Sequence, residues 1–188
     1  MVTTRRIKTD GKRKLVEELV QKARVLALVN GVLRTTLAAR SLPEVLMALA
    51  PNLKELCPFD RLSVSLYDPR RFIFHTPYAY MKARVEETGE SPKNYERTPQ
   101  AQVIETRRPL LLRQDRSGPL LATDTAVLKK GPGCEAIFPL LIGDAPFGTF
   151  QIGCLERDRL LDVHVEQVLE LIPAISSAVH RFAGSIPG

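Results

Sequence analysis

Cys134–Leu155 reads CEAIFPLLIGDAPFGTFQIGCL. Two apolar-rich runs, Cys134–Leu141 and Phe147–Leu155, flank Gly143-Asp144. That dipeptide marks a tight hairpin, because glycine reaches positive φ without a Cβ clash. A second stretch with a two-residue period lies upstream. Arg61–Tyr67 (RLSVSLY) alternates strictly, with Leu62, Val64 and Leu66 on one face and Ser63, Ser65 and Tyr67 on the other. Asp68-Pro69 is a turn signal, and Arg71–Thr76 (RFIFHT) reads as the returning strand. Hairpins of this kind build an antiparallel sheet.

Helical periodicity flanks these strands. From Lys12 to Leu37, Leu15, Leu19, Leu26 and Leu33 recur at i, i+4 and i+7 steps, widened by Val16, Val20, Ala23 and Ala27. Two faces, one for the domain and one for a partner helix, would explain that breadth; so would a single well-buried helix. Ser41-Leu-Pro-Glu44 opens a second helix, with Ser41 as cap, Pro43 in the first turn and Glu44 completing a capping box. Cys57-Pro58 ends it. Arg159–Phe182 reads as the closing helix, with Pro173 predicting a kink or two abutting helices. Between residues 77 and 133 the pattern is less regular. It predicts a helix over Tyr80–Thr88, a loop over Gly89–Glu96 and a short helix over Thr98–Thr106 capped by Thr98. A strand over Pro109–Arg113 and a turn over Gln114–Gly118 follow; Leu120–Lys130 is ambiguous and Gly131-Pro-Gly133 is a break. Helices at both chain ends and hairpins between them make an α+β layered domain.

The 188 residues are 44% hydrophobic and 26% charged, the profile of one globular domain able to bury a core without staples. The net charge is +6, of which residues 1–14 supply +5 (Arg5, Arg6, Lys8, Lys12, Arg13 and Lys14 against Asp10). The organisation expected is a basic arm over 1–14, a domain over 15–183 and a tail over 184–188. The domain itself carries only +1 and no basic stripe interleaved with aromatics, so direct nucleic-acid binding is not expected. The longest run without Asp, Glu, Lys or Arg is Ala145–Leu155, too short for a membrane span, and no signal peptide is visible. A cytoplasmic location is expected.

Chemistry-bearing motifs are sparse. The three cysteines, Cys57, Cys134 and Cys154, are odd in number and form no CxxC. His164 and His180 would point about 160° apart on one straight helix, so they cannot share a metal. There is no P-loop, GxGxxG or HExxH. Neither a cofactor, a metal nor catalysis is expected.

Three segments together resemble the GAF domain family. They are Leu53–Pro69 (LKELCPFDRLSVSLYDP), Thr98–Arg113 (TPQAQVIETRRPLLLR) and Cys134–Phe182, which contains FPLLIGDAPFGTFQIG. The nearest likeness is to GAF sensors of sigma-54-dependent transcriptional regulators and histidine kinases. The resemblance implies a six-stranded antiparallel sheet, terminal helices on one face and short helices and loops on the other. It also implies a small ligand on that second face and a homodimer through the N- and C-terminal helices. This chain has no AAA+ or kinase segment, so the expectation is either a stand-alone sensor or one whose output domain, of AAA+ or kinase type, lies outside it.

The sheet's second face offers the candidate site. Ser63, Ser65 and Tyr67, with Thr149 and Gln151, are polar but uncharged, whereas a solvated face usually carries Lys and Glu. Such a floor fits either a covered cavity that hydrogen-bonds a small ligand or a face packed under the middle segment. The lid would bring Tyr78, Tyr80, Arg113, Asp115, Thr123 and Asp124. Arg113 would pair with an anionic ligand, bridge to Asp115 or lie exposed. Pairing Phe138 opposite Phe150 sets Cys134 opposite Cys154, close enough for a disulfide after slight adjustment. That pair supports an alternative, a thiol redox enzyme or switch, although residues 77–133 lack the cysteines of the family's free methionine sulfoxide reductases. Buried, inert thiols are the other reading. The resulting expectation is a non-enzymatic sensor of an unknown small molecule; a dimerisation module without ligand is a further alternative.

Overall fold

Alternating strands and amphipathic helices assemble as two faces of one sheet. The structure, a computed structural model, describes residues 3–89, 93–96, 98–113 and 133–184; for 3–11 and Glu18 it describes the backbone alone. The elements run α1 (Thr3–Leu37), α2 (Leu42–Lys54), β1 (Arg61–Asp68), β2 (Ile73–His75), β3 (Tyr78–Met81), β4 (Arg84–Glu87) and β5 (Lys93–Asn94). Then come α3 (Pro99–Thr106), β6 (Leu110–Arg113), β7 (Cys134–Ile142), β8 (Ala145–Cys154), α4 (Asp162–Leu169) and α5 (Ile172–Ala183).

All strand pairs are antiparallel, in the order β4-β3-β1-β8-β7-β6. That path is the six-stranded sheet expected, but the whole sheet has eight strands. The two extra strands arise because β1 is long enough to serve two partners on one side. β3 pairs with Arg61–Ser63, β2 pairs with Leu66–Asp68, and β5 extends β2. The β7–β8 hairpin sets Phe138 opposite Phe150 and Cys134 opposite Cys154, the register read from sequence. Gly143 opens its two-residue loop at φ 58°. At Gly148 of β8 there is no room for a side chain: a Cβ there would lie 2.5 Å from the Ser65 carbonyl oxygen of β1.

The helix expected over Tyr80–Thr88 is instead the β3–β4 hairpin. Met81 pairs with Arg84, and Lys82 and Ala83 turn the chain at φ 50° and 64°. Two positive φ values make a type I′ turn, which normally advertises itself as Asn-Gly. Lys-Ala carries no such signal, so the segment scores as helix former. The closing helix is broken into α4 and α5, with Pro173 in the first turn of α5, where it forfeits no helical bond. The helix α1 starts at Thr3, well before Lys12, so the basic arm continues the helix. Ser41 caps α2 by accepting from the Glu44 amide, while Glu44 accepts from the Arg40 amide.

One core unites the sheet with the helices. Leu46, Leu49 and Leu53 of α2 and Ile175 and Val179 of α5 pack over Leu62, Val64, Phe138, Phe150 and Ile152. Each such side chain contributes roughly 1.5–3 kcal/mol by leaving water. The terminal helices are also tied by polar contacts. The Arg181 guanidinium of α5 donates to the carbonyls of Thr36 (3.1 Å) and Ala39 (2.9 Å), capping the end of α1. Where the extra residue Phe147 of β8 shifts the β7–β8 register, the Leu141 amide donates to Ser176 of α5.

Candidate functional site

On the sheet face opposite those helices, the polar floor is real and closed. The Ser63 hydroxyl donates to Gln151 Oε1 at 2.7 Å. Gln151 Nε2 donates to Ser65 Oγ and to Thr149 Oγ1, each at 2.8 Å. Ser65 shares a hydrogen bond with Thr76 Oγ1 at 2.6 Å. Ser63, Ser65, Thr149 and Gln151 are all buried to within 3% of full burial, and Thr76 is buried beside them. The strand register explains the cluster: Ser63 stands opposite Gln151, and Ser65 opposite Thr149. Buried hydroxyls and amides must find partners, and here they find one another. The network carries no titratable group. It can hydrogen-bond, but it offers no acid, base or nucleophile matched to neutral pH.

Around this centre lie a roof and an aromatic edge. The helix α3 packs on β7 and β8, burying Ala101, Val103 and Ile104. Thr98 caps it, its hydroxyl accepting from the Ala101 amide. Tyr67 joins Phe74 and Tyr95 in a ring cluster with centroids 5.0–5.7 Å apart. Tyr95 donates to Glu105 Oε1 of α3. Burial first, and then that carboxylate, push its phenol up to about 12.

The sequence-predicted residues divide sharply. Ser63, Ser65, Thr149 and Gln151 come together, with Tyr67 at the edge of the cluster. Tyr78 and Tyr80 do not join them. Tyr80 is opposite Leu62, so both tyrosines of β3 point into the helix side, where Tyr80 meets Phe59 edge-on at 6.0 Å. The helix expected there hid the two-residue alternation that sends them away. Arg113 is opposite Cys134, on the helix side as well, and lies 3.6 Å from Asp162 of α4. Asp115, Thr123 and Asp124 lie outside the described residues. Thr76 and Tyr95 were missed. Extending the β1–β2 register by one step would have placed Thr76 opposite Ser65; Tyr95 gave no such signal.

Cys134 and Cys154 also sit on the helix side, within the core. Their thiols donate to the carbonyls of Glu156 and Pro58, each at 3.2 Å. Burial, and then the neighbouring Cys134, push Cys154 up to about 12; burial pushes Cys57 up to about 12. The pair is opposed as expected, but it lies on the far side of the sheet from the polar floor. Two of the three histidines have structural partners. His164 Nδ1 accepts from the Leu161 amide at the start of α4, and His180 meets Phe147 edge-on. Among the described residues no group of His, Cys, Asp and Glu is arranged to hold a metal ion.

No sequence-family profile matches the chain, and no curated protein matches it by sequence. Solved structures do match. The GAF domain of a phosphoenolpyruvate-protein phosphotransferase from Coxiella burnetii superposes with a TM-score of 0.67 at 15% identity, over 87% of this chain and 98% of its own. This is the GAF fold. The GAF domain of a two-component sensor histidine kinase from Bacillus halodurans is similar with a TM-score of 0.61 at 15% identity, over 76% of this chain and 96% of that one. The free methionine-R-sulfoxide reductase of Neisseria meningitidis, solved with its substrate, is similar with a TM-score of 0.63 at 12% identity, over 86% and 92%. The GAF fold thus serves both regulatory domains and an enzyme, and likeness at these identities speaks to fold alone. No helix among the described residues is long and apolar enough to cross a membrane.

Proposed function

We propose that this GAF domain is a non-enzymatic sensory module of a cytoplasmic bacterial regulator. A small molecule binds on the polar face under α3, and the change passes through α1 and α5 to a homodimer partner and an output domain of AAA+ or kinase type. The observation that carries this reading is the buried, uncharged network of Ser63, Ser65, Thr76, Thr149 and Gln151 at the centre of the sheet. It supplies donors and acceptors, and no reactive group. A thermal-shift screen against nucleotides, amino acids, organic acids and oxyanions tests it, with native mass spectrometry for a molecule carried through purification. A saturating rise in melting temperature that Gln151→Leu abolishes supports the proposal.

A second reading, a dimerisation module without ligand, is favoured by the way these polar groups satisfy one another. It predicts no shift with any ligand class and a native mass equal to the polypeptide alone. The thiol redox alternative draws on the opposed Cys134 and Cys154. It is weakened by their burial and by their distance, a full sheet thickness, from the polar floor. Unchanged redox behaviour in Cys134→Ser would end it.

A further inference from the structure

The roof of the polar face carries an orphaned acceptor. Gln100 lies in the first turn of α3. At 100° per residue it projects between Val103 and Ile104, at the centre of the face that α3 buries. Ala101 and Ile104 of that face pack on Phe74, which pairs with Tyr67, two residues from Ser65. The side-chain carbonyl oxygen of Gln100, Oε1, is shielded from solvent and has no hydrogen-bond partner among the described residues. A buried amide oxygen without a donor is rare in a folded protein and costs stability.

The floor beneath has the complementary surplus. Every side-chain nitrogen and oxygen of the network is paired, but not every proton is used. Gln151 commits both amide hydrogens, to Ser65 and Thr149, and Ser63 commits its own to Gln151. Ser65 and Thr76 have two hydroxyl protons and one bond between them. Thr149 accepts from Gln151 and donates to no side chain or carbonyl among the described residues. Two hydroxyl protons therefore remain on the floor, facing one open amide oxygen on the roof. The charged side chains that alternation places on this face, Arg61 and Glu135, flank Gly153 at the far end of the floor, and neither is without a partner.

We propose that Gln100 recognises the molecule that binds under α3, and that this molecule is an uncharged carboxamide. Its N–H donates to Gln100 Oε1. Its carbonyl oxygen accepts an uncommitted hydroxyl proton, from Thr149 or from the Ser65–Thr76 pair. A carboxylate of the same shape brings no donor for Gln100, and its charge would meet only neutral groups there. An amidinium cannot accept from the hydroxyls. The site thus selects by matching donors to acceptors, and it rejects the isosteric ions by leaving buried polar groups unpaired. This inference rests on the sensory reading above and deepens it by naming the chemical class of the ligand. The orphaned oxygen is then a functional compromise: it weakens the fold and strengthens the bound state.

Titration of the isotope-labelled full chain with acetamide, acetate and acetamidinium, followed by amide chemical shifts, is the test. Thermal unfolding of Gln100→Leu by circular dichroism accompanies it. Acetamide should shift the side-chain amide resonances of Gln100 and Gln151 saturably, and the two ions should bind about tenfold more weakly or not at all. In Gln100→Leu, acetamide binding should weaken about tenfold while the melting temperature rises, because leucine suits the apolar neighbours and leaves no orphaned oxygen. A glutamine with a purely structural role would give the opposite, a lower melting temperature. An unchanged or lowered melting temperature would mean that water or the protein already satisfies the oxygen, and would overturn the proposal. Acetamide binding that survives the substitution, or a preference for either ion, would overturn it too, while leaving the sensory reading intact. Silence towards all three probes would also overturn it; a response of the wider ligand screen would then show the sensory reading to hold without it.

Discussion

Gln151→Leu is the substitution through which the polar floor is best tested. The Gln151 amide makes three side-chain hydrogen bonds, to Ser63, Ser65 and Thr149, at 2.7–2.8 Å. Leucine nearly preserves the volume but makes none. The Ser63 hydroxyl loses its acceptor in a site that is 1% exposed, and the oxygens of Ser65 and Thr149 lose a donor. A buried group left unpaired costs about 1–3 kcal/mol, and a lost neutral bond about 1 kcal/mol. Leucine recovers about 1 kcal/mol by apolar burial. The net expectation is a loss of about 2–4 kcal/mol, read from urea unfolding with an unchanged m-value. The double variant Gln151→Leu/Ser63→Ala removes both ends of one bond and should recover about 1–2 kcal/mol of the summed single effects. A single-variant loss under about 0.5 kcal/mol, or strict additivity in the cycle, would mean the hydroxyls have other partners, and the closed network would have to be abandoned.

Arg181→Ala should cost about 1–2 kcal/mol and speed amide exchange in the last turn of α1, because the carbonyls of Thr36 and Ala39 lose their charged donor. Gly148→Ala should destabilise by about 2–3 kcal/mol, measured by the same unfolding curve, since its Cβ would press on the backbone of Ser65. Ala83→Gly should raise stability by about 1 kcal/mol, relieving the left-handed conformation in the β3–β4 turn. The thiols set an alkaline limit. Cys57 and Cys154 ionise near 9 when unfolded but near 12 when folded, so their contribution is fully present below pH 9 and is lost as pH rises towards 12. Stability should fall by about 1.4 kcal/mol per pH unit per thiol over that window. Cys154→Ala should roughly halve that part of the slope, as followed by chemical unfolding at pH 9 and 10.

Legibility from sequence followed the locality of each signal. Strand alternation and hairpin loops are local, so β1, β7 and β8 were readable to within two residues, and with them the polar set of Ser63, Ser65, Thr149 and Gln151; that Ser63 stands opposite Gln151 depends on the non-local pairing of β1 with β8. The opposition of Cys134 to Cys154 followed from setting Phe138 opposite Phe150; the hairpin tip, where Ile142 pairs with Ala145, is one residue out of that register. The β3–β4 hairpin was not readable, because its turn uses Lys82 and Ala83 in a conformation those residues seldom adopt. That one turn sent Tyr78 and Tyr80 to the wrong face. Arg113 failed differently: its strand was placed, but its facing depends on pairing with β7, a contact more than twenty residues away. Arg181 was invisible for the same reason, since its partners lie at the other end of the chain.

The two faces of the sheet are joined through β8. Gln151 belongs to the polar network, while Phe150 and Ile152 on either side of it belong to the core under α2 and α5. From that core the path continues to α1 through Arg181, whose guanidinium holds the end of that helix. A molecule seated on the floor therefore touches a strand whose other side carries the terminal helices. Contiguity alone is not signalling: the ligand shifts the helices only by as much as it prefers one arrangement of them over another. The part of α1 placed to report such a shift is the segment ahead of Leu28 and Val32. Leu15, Val16, Leu19 and Val20 on that segment are exposed, so its position follows how Leu28 and Val32 are seated.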